Sequence, residues 1–241
     1  MLAEWMTPEP ITVDVDTPVS RCRAILEDGR IRHLPVLDGG WVVGVLDAVA
    51  LEDADDHAVA GDLEVHRVPS VALGTPLAEA LDALQGSVTD VVVITDGGAP
   101  VGLFTEHDAV RLGARELPEG LALSRYATRP LRTIDASASV ADARARLAED
   151  VQRHLVVMLQ GKLYAVLSWR DLVGARDSAL VSERVKPVQW RIGWSTGMKE
   201  AAATLARNHI GILPVVDTAG HPEAVVSRTD VMAALVEHLA G

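Results

Sequence analysis

A short string recurs four times along this chain of 241 residues, each time at the end of an apolar run. Three copies place a serine or threonine three residues before an aspartate. The copies occupy residues 44–50 (GVLDAVA), 102–108 (GLFTEHD), 165–171 (AVLSWRD) and 224–230 (AVVSRTD). Their equivalent positions lie 58, 63 and 59 residues apart. Because a unit of about sixty residues buries too little apolar surface to be stable alone, the chain is a fourfold repeat whose function lies between repeats.

A second pattern opens 30 or 31 residues before each string, where apolar residues begin to recur with helical spacing. Thr17 and Thr75 each precede a proline and predict helix N-caps, and Ser137 or Ser139 can cap the third helix. Two strands with a glycine-containing turn follow each helix, and a short strand precedes it. We therefore predict an α+β fold of four tandem strand-helix-strand-strand-helix repeats. They span residues 1–63, 64–121, 122–180 and 181–241.

Several motifs together resemble the cystathionine β-synthase (CBS) domain family. They are the MTP opening at residues 6–8, HLPV at 33–36, ILPVVD at 212–217 and the S/T-x-x-D strings. The resemblance covers essentially the whole chain, so we expect no attached enzyme or channel. It implies that the repeats pair about pseudo-twofold axes into two modules, the first ending near Leu121. It also implies adenine nucleosides or nucleotides as ligands, with the aspartate of a string on the ribose.

The strings have the chemistry for such a ligand. A helix N-terminus holds phosphate, a hydroxyl donates to phosphate or ribose, and an aspartate three residues on can accept from both hydroxyls of a ribose. The candidate ligand-binding residues are Thr105, Asp108, Ser168, Asp171, Ser227 and Asp230. The same spacing is also a capping motif, and this alternative stays open for each copy. Since glutamate or glutamine would cap equally well, three aspartates favour ligand binding.

The four copies are not equally equipped. Asp47 and Ala50 replace the hydroxyl and the aspartate in the first copy, which predicts a site that is empty or binds something other than a nucleotide. The third copy is predicted to be the best equipped, with Arg170 inside the string and Arg153 where the family often places a phosphate contact. The fourth copy has Arg228. Together these arginines favour a di- or triphosphate in the second module, although Arg170 and Arg228 are equally explained as solvated surface residues.

Composition excludes several classes of function. A formal net charge of −12 argues against broad binding to nucleic acid or to anionic membranes. The sequence has neither a membrane-spanning apolar run nor a signal-peptide pattern at its start. Cys22 is the single cysteine, so no internal disulfide forms, and we expect a cytoplasmic protein. The histidines form no spaced cluster with Cys22 or carboxylates, so no metal site is predicted.

One string favours an enzyme, because Gly193-Trp194-Ser195-Thr196-Gly197 matches the G-x-S-x-G of a hydrolase elbow. It coincides with the start of the fourth repeat's helix, where the other repeats carry ordinary caps, so a catalytic Ser195 is a remote alternative.

We predict instead a non-catalytic regulatory or energy-sensing protein that requires no cofactor and binds ATP, ADP or AMP, with or without magnesium. S-adenosylmethionine or a dinucleotide are alternative ligands. We expect a homodimer and a protein partner. The competing function is a ligand-free scaffold that dimerises and docks on another protein.

Overall fold

The computed structural model describes residues 1–29, 31–63, 65, 67–87, 89–149 and 154–240. The chain divides into two units. The first consists of Met1–Ala109 with Val236–Gly241, and the second of Val110–Leu235. Among the described residues, no helix combines the length and the apolarity needed to cross a bilayer.

The first unit contains the first two repeats, each built on one small sheet. Its strands are β1 (Thr7–Pro8), β2 (Val13–Asp14), β3 (Leu34–Asp38), β4 (Trp41–Leu46), β5 (Ser70–Ala72), β6 (Val91–Asp96) and β7 (Ala99–Thr105). Its helices are α1 (Val19–Gly29), α2 (Leu77–Gln85) and the start of α3 (Glu106–Glu116). In both repeats a parallel pair (β2 with β3, β5 with β6) is followed by an antiparallel hairpin.

The first repeat of this unit contributes its leading segment to the second, and we call this the segment exchange. Strand β1 belongs to the first repeat, yet it joins the sheet of the second repeat in the order β1-β7-β6-β5. Thr7 lies opposite Leu103, and Pro8 opposite Gly102. Val45 of the first repeat also packs in one buried cluster with residues of the second, Leu103 among them. The repeats therefore share both a sheet and a core.

The second unit repeats this plan. Its strands are β8 (Thr133–Asp135), β9 (His154–Leu159), β10 (Lys162–Ser168), β11 (Ile192–Gly193), β12 (Ile212–Val216) and β13 (Pro222–Ser227). Its helices are α4 (Val140–Ala148), α5 (Val181–Arg184), α6 (Met198–Arg207) and most of α7 (Arg228–Ala240). The sheets have the orders β8-β9-β10 and β11-β12-β13. Thr128, ahead of β8, makes an antiparallel bridge with Val225 of β13, so the third repeat again lends its leading segment to the fourth.

The predicted α+β repeat fold and the pairing of repeats are confirmed, while some helix starts differ from prediction. Ser139 caps α4 in a capping box with Asp142, as the sequence allowed. Thr17 does not cap α1, because its hydroxyl accepts instead from the Asp14 N–H at 3.1 Å. In α2 the N-cap residue is Pro76, which makes no side-chain capping bond.

The second helix that we predicted for every repeat is wrong for the first repeat. Turns follow β4, and only a three-residue 3-10 helix, Ala60–Asp62, appears later. Asp47 Oδ1 accepts from the N–H groups of Val49 and Ala50, both at 2.9 Å. Such local side-chain bonds compete with a continuing helix. Arg23 stabilises the turns from outside by donating to the Ala54 carbonyl oxygen at 2.9 Å.

The prediction is also wrong for the third repeat. A four-residue 3-10 helix, Trp169–Leu172, and the single turn of α5 replace a long helix. Two arginines hold the carbonyl groups of this segment. Arg144 Nη2 donates to Leu172 O at 2.9 Å, and Arg184 donates to the carbonyl oxygens of Asp171 and Val173, both at 3.1 Å. Long helices therefore follow only the second and fourth strings.

The exchanged segment of the first unit gives a test of packing. A Cβ at Gly102 would lie 2.5 Å from Met6 Sδ, and because this flexible, partly exposed side chain can shift, we expect Gly102→Ala to destabilise the chain by only about 1 kcal/mol. By register, the matching positions of the second unit are Ala127 and Ala224. The double variant Met6→Ala/Gly102→Ala has the same two alanines and removes the clash. In urea unfolding, its loss of stability should therefore be smaller than the sum of the losses of the two single variants. Strictly additive losses would contradict this packing.

Candidate functional site

The fourth string forms a compact hydrogen-bonded group at the start of α7. Asp230 Oδ2 accepts from the backbone N–H of Ser227 at 2.6 Å and from its hydroxyl at 2.7 Å. The N–H of Asp230 in turn faces Ser227 Oγ at 3.4 Å. These contacts form a capping box, which satisfies N–H groups that a helix start otherwise leaves without partners.

Asp230 has one further partner that capping does not require. Its second carboxylate oxygen, Oδ1, accepts from the hydroxyl of Thr128 at 3.2 Å, across 102 residues of sequence. The segment exchange brings this residue of the third repeat to the fourth, because Thr128 and Val225 are paired through both backbone hydrogen bonds, at 2.9 and 3.3 Å. Asp230 therefore accepts hydroxyl groups on both oxygens.

Burial sets the electrostatics of Asp230. Loss of solvent raises the pKa of its carboxyl above the usual 3.8, and the hydrogen bonds from Ser227 and Thr128 oppose this rise. A desolvated carboxylate has a strong preference for donors such as hydroxyl groups.

The second string has the same internal geometry at the start of α3. Asp108 Oδ2 accepts from the N–H of Thr105 at 3.0 Å and from its hydroxyl at 2.7 Å, and the Asp108 side chain is buried. The N–H of Glu106 donates to the Asp90 carbonyl oxygen at 3.2 Å, immediately before β6. The second repeat thus holds a buried aspartate, and the fourth a partly buried one, at the N-terminus of a long helix.

The third string forms its pair without such a helix. Asp171 Oδ2 accepts from the N–H and the hydroxyl of Ser168, at 2.7 and 2.8 Å. Because only the 3-10 helix Trp169–Leu172 follows, the helix N-terminus that we expected to hold a phosphate at each string is not formed at this copy. In the part of the chain that the structure describes, the Asp171 carboxylate has no hydroxyl partner from another repeat.

The predicted arginines occupy three different situations. Arg170 is exposed in the 3-10 helix of the third string. Arg228 is buried, with 9% of its surface exposed, and donates to the carbonyl oxygens of Ile210 at 3.2 Å and His209 at 3.5 Å. Arg153 lies outside the described residues.

Asp142, which lies outside the strings, is an example of an aspartate that only caps a helix. Ser139 and Asp142 form the same S-x-x-D box at α4, where Asp142 Oδ2 accepts from the serine N–H at 3.2 Å and its hydroxyl at 2.7 Å. Asp142 is exposed, and the hydrogen bonds from Ser139 lower its pKa. The pKa of Asp230 moves in the opposite direction, so the spacing is shared but the environment is not.

Sequence reasoning missed a group of residues next to Thr128. The guanidinium of Arg129 lies 4.0 Å from the ring centre of Trp194, whose Nε1 donates to the Glu223 carboxylate. Arg129 and Glu223, with Pro130 and Leu131, line an open cleft of about 540 Å³. One signal was present in the sequence. Thr128-Arg129-Pro130 is a variant of the Thr-Pro opening of the first repeat, and both openings pair with the last strand of the next repeat.

Comparison with known families identifies the repeats. The CBS domain family matches residues 2–52, 60–115, 123–178 and 195–237. This chain belongs to the CBS domain family. Each S/T-x-x-D string and its first-repeat counterpart lies inside one of these four CBS domains.

Two solved structures share the fold over nearly the whole chain. Protein MJ1225 of Methanocaldococcus jannaschii, described as a proposed archaeal homologue of γ-AMPK, superposes with a TM-score of 0.84 at 17% identity. It covers 97% of this chain and 99% of its own. An uncharacterised conserved protein of Pyrococcus horikoshii gives a TM-score of 0.70 at 21% identity, covering 96% and 97%. At these identities the likeness concerns the fold alone.

A curated relative, the uncharacterised protein MJ1404 of Methanocaldococcus jannaschii, is 25% identical over 163 residues. The match covers 64% of this chain but only 38% of the relative, so the chain spans less than two fifths of that protein.

The other candidate chemistries have less geometric support. Ser195 precedes the N-cap of α6, and no hydrogen bond joins it to a histidine among the described residues. His221 pairs with Asp217 at 3.1 Å. Trp169 packs on the core of the third CBS repeat. Across the described residues, no three histidine, cysteine or acidic side chains cluster as metal ligands would.

The opposite pKa directions of Asp230 and Asp142 predict opposite pH effects. Folding favours protonated Asp230, so the stability of the natural chain relative to Asp230→Asn is highest below pH 3.8 and falls as pH rises through the raised pKa. Folding favours ionised Asp142, so its advantage over Asp142→Asn is present above pH 3.8 and is lost as pH falls through the lowered pKa.

Denaturant unfolding of the natural chain and both variants across pH 3–7 measures these slopes, and carboxyl carbon NMR titration measures the two pKa values directly. Slopes of the same sign would show that Asp230 is solvated like Asp142.

Proposed function

We propose that this chain is a non-catalytic regulatory protein that binds an adenine nucleotide between paired CBS repeats, with the ribose held by Asp230. The observation that carries the proposal is the pair of hydroxyl groups on the Asp230 carboxylate, one on each oxygen, from Ser227 and Thr128. A ribose presents two neighbouring hydroxyl donors of the same kind. A bound sugar can therefore take over contacts for which this carboxylate is already oriented.

Capping alone does not account for the arrangement. The capping box uses a single carboxylate oxygen, as it does in the exposed Ser139–Asp142 pair. At Asp230 the chain additionally desolvates the carboxyl, which is partly buried, and brings a hydroxyl to its other oxygen from the preceding repeat. Desolvation opposes folding unless the polar groups are paired, so burial at this position supports a role beyond the cap.

The same geometry provides a route to regulation. A ligand in contact with Thr128 and with the Ser227–Asp230 pair bridges the third and fourth repeats. Ligand binding then favours one relative orientation of these repeats, because a ligand shifts an equilibrium toward the state that it binds better. The altered surface would be recognised by a protein partner, and a homodimer remains our expected assembly.

One observation favours the second candidate, a ligand-free scaffold. All three S/T-x-x-D strings are internally satisfied, with every hydroxyl bonded to the aspartate of its own string. A chain that uses these strings only to start helices needs no ligand.

A thermal-shift panel separates the two candidates. We expect at least one compound among adenosine, AMP, ADP, ATP and S-adenosylmethionine to raise the melting temperature, with or without magnesium. A ligand at one hundred times its Kd stabilises the folded chain by about 2.7 kcal/mol, or roughly 5–10 °C for a protein of this size. A scaffold would not respond to any adenine compound.

Matched aspartate variants then locate the site. Asp230→Asn removes the charge that the ribose hydroxyl groups contact, which should weaken binding at least tenfold, since hydrogen bonds to a charged group contribute about 1.5–3 kcal/mol. Asp142→Asn alters the same type of box at an exposed cap and should leave the shift intact. Equal shifts in both variants would refute the assignment of Asp230.

A further inference from the structure

The start of α7 offers little to a phosphate group. Of the first four N–H groups, that of Ser227 donates to Asp230 Oδ2 at 2.6 Å, and that of Arg228 donates to the Gly211 carbonyl oxygen at 3.1 Å. The N–H of Asp230 is directed to Ser227 Oγ at 3.4 Å. A helix N-terminus binds phosphate through amide groups that have no other partner. Here three of these four groups already contact the protein.

The arginine of the same string is also engaged. Arg228 is buried and donates through Nε and Nη2 to the carbonyl oxygens of Ile210 and His209, just beyond the C-terminus of α6. A cation there complements the negative end of that helix. Moving the guanidinium to a phosphate would leave these carbonyl groups without their donor, so Arg228 serves the loop and not an anion.

The neighbouring cleft combines apolar surface with a carboxylate. Pro130 and Leu131 line it, and Arg129 is stacked on Trp194. Glu223 accepts from the same indole and lies on the cleft surface. The charges of Arg129 and Glu223 offset each other, so the cleft offers a polyphosphate no net positive charge, whereas a flat neutral ring can lie on Pro130 and Leu131.

We infer that the fourth-repeat site selects adenosine or an adenosine derivative with at most one phosphate, and that affinity falls as phosphates are added. This inference rests on the proposed function and deepens it. It reverses the preference for di- and triphosphates expected from the arginines of the second module, because Arg228 is committed to carbonyl groups. The recognised features are then the ribose diol on Asp230 and the apolar base.

Isothermal titration calorimetry of the full chain with adenosine, AMP, ADP and ATP tests the inference. The relevant part of the measured binding is the part that is lost in Asp230→Asn and kept in Asp142→Asn. For that component we expect adenosine or AMP to bind at least tenfold more tightly than ATP, with ADP between them. Circular dichroism checks that each variant is folded. If Asp230→Asn does not fold, Ser227→Ala identifies the same site, since it removes the hydroxyl that competes for this carboxylate and so changes the affinity of a ligand held there.

The possible failures are distinguishable. If Asp230-dependent binding of ATP equals or exceeds that of adenosine, the selectivity is refuted while the proposed nucleotide site stands. If no adenine compound binds, or if binding is indifferent to both Asp230 and Ser227, the proposed function itself fails and the selectivity fails with it.

Discussion

The exchange of a leading segment between neighbouring repeats is the constraint on which the rest of the structure depends. A unit of about sixty residues with a three-stranded sheet cannot cover its own edge and core. In the first unit Thr7 therefore pairs with Leu103, and in the second Thr128 pairs with Val225. The candidate site is a consequence of this exchange, because it carries a hydroxyl from one repeat to the aspartate of the next.

One sequence pattern serves two different purposes in this chain. Ser139–Asp142 and Ser227–Asp230 have the same spacing and nearly the same hydrogen bonds to a single carboxylate oxygen. What separates them is the surroundings, solvent at Asp142 and a desolvating neighbour repeat at Asp230. A short motif therefore specifies the local cap, while tertiary structure decides whether the aspartate can also bind a ligand.

The features predictable from sequence were those with a repeated local signal. The α+β repeat architecture and its pairing could be predicted from three signals. These are the period near sixty residues, the glycine turns and the helical spacing of Val140, Ala143 and Leu147. The missing second helices were not predictable from the repeat. Arg23, Arg144 and Arg184 hold the segments that replace them, by donating to carbonyl groups 31, 28 and 13 residues away along the chain. The partnership of Thr128 with Asp230 spans 102 residues and has no local signature.

Four arginines of this acidic chain stabilise its backbone, so the adenosine site that we propose has no strong anion site beside it. Arg23, Arg144, Arg184 and Arg228 all donate to backbone carbonyl groups next to short or ending helical segments. In that role a guanidinium donates to carbonyl groups that the N–H groups of a longer helix would otherwise have satisfied, so its charge stabilises the repeat. A side chain with this function cannot also follow a ligand without loosening the segment that positions the site. The proposed recognition in the fourth repeat then depends on the groups that remain. These are the desolvated carboxylate of Asp230 for the hydroxyl groups of a sugar and the surface of Pro130 and Leu131 for a base.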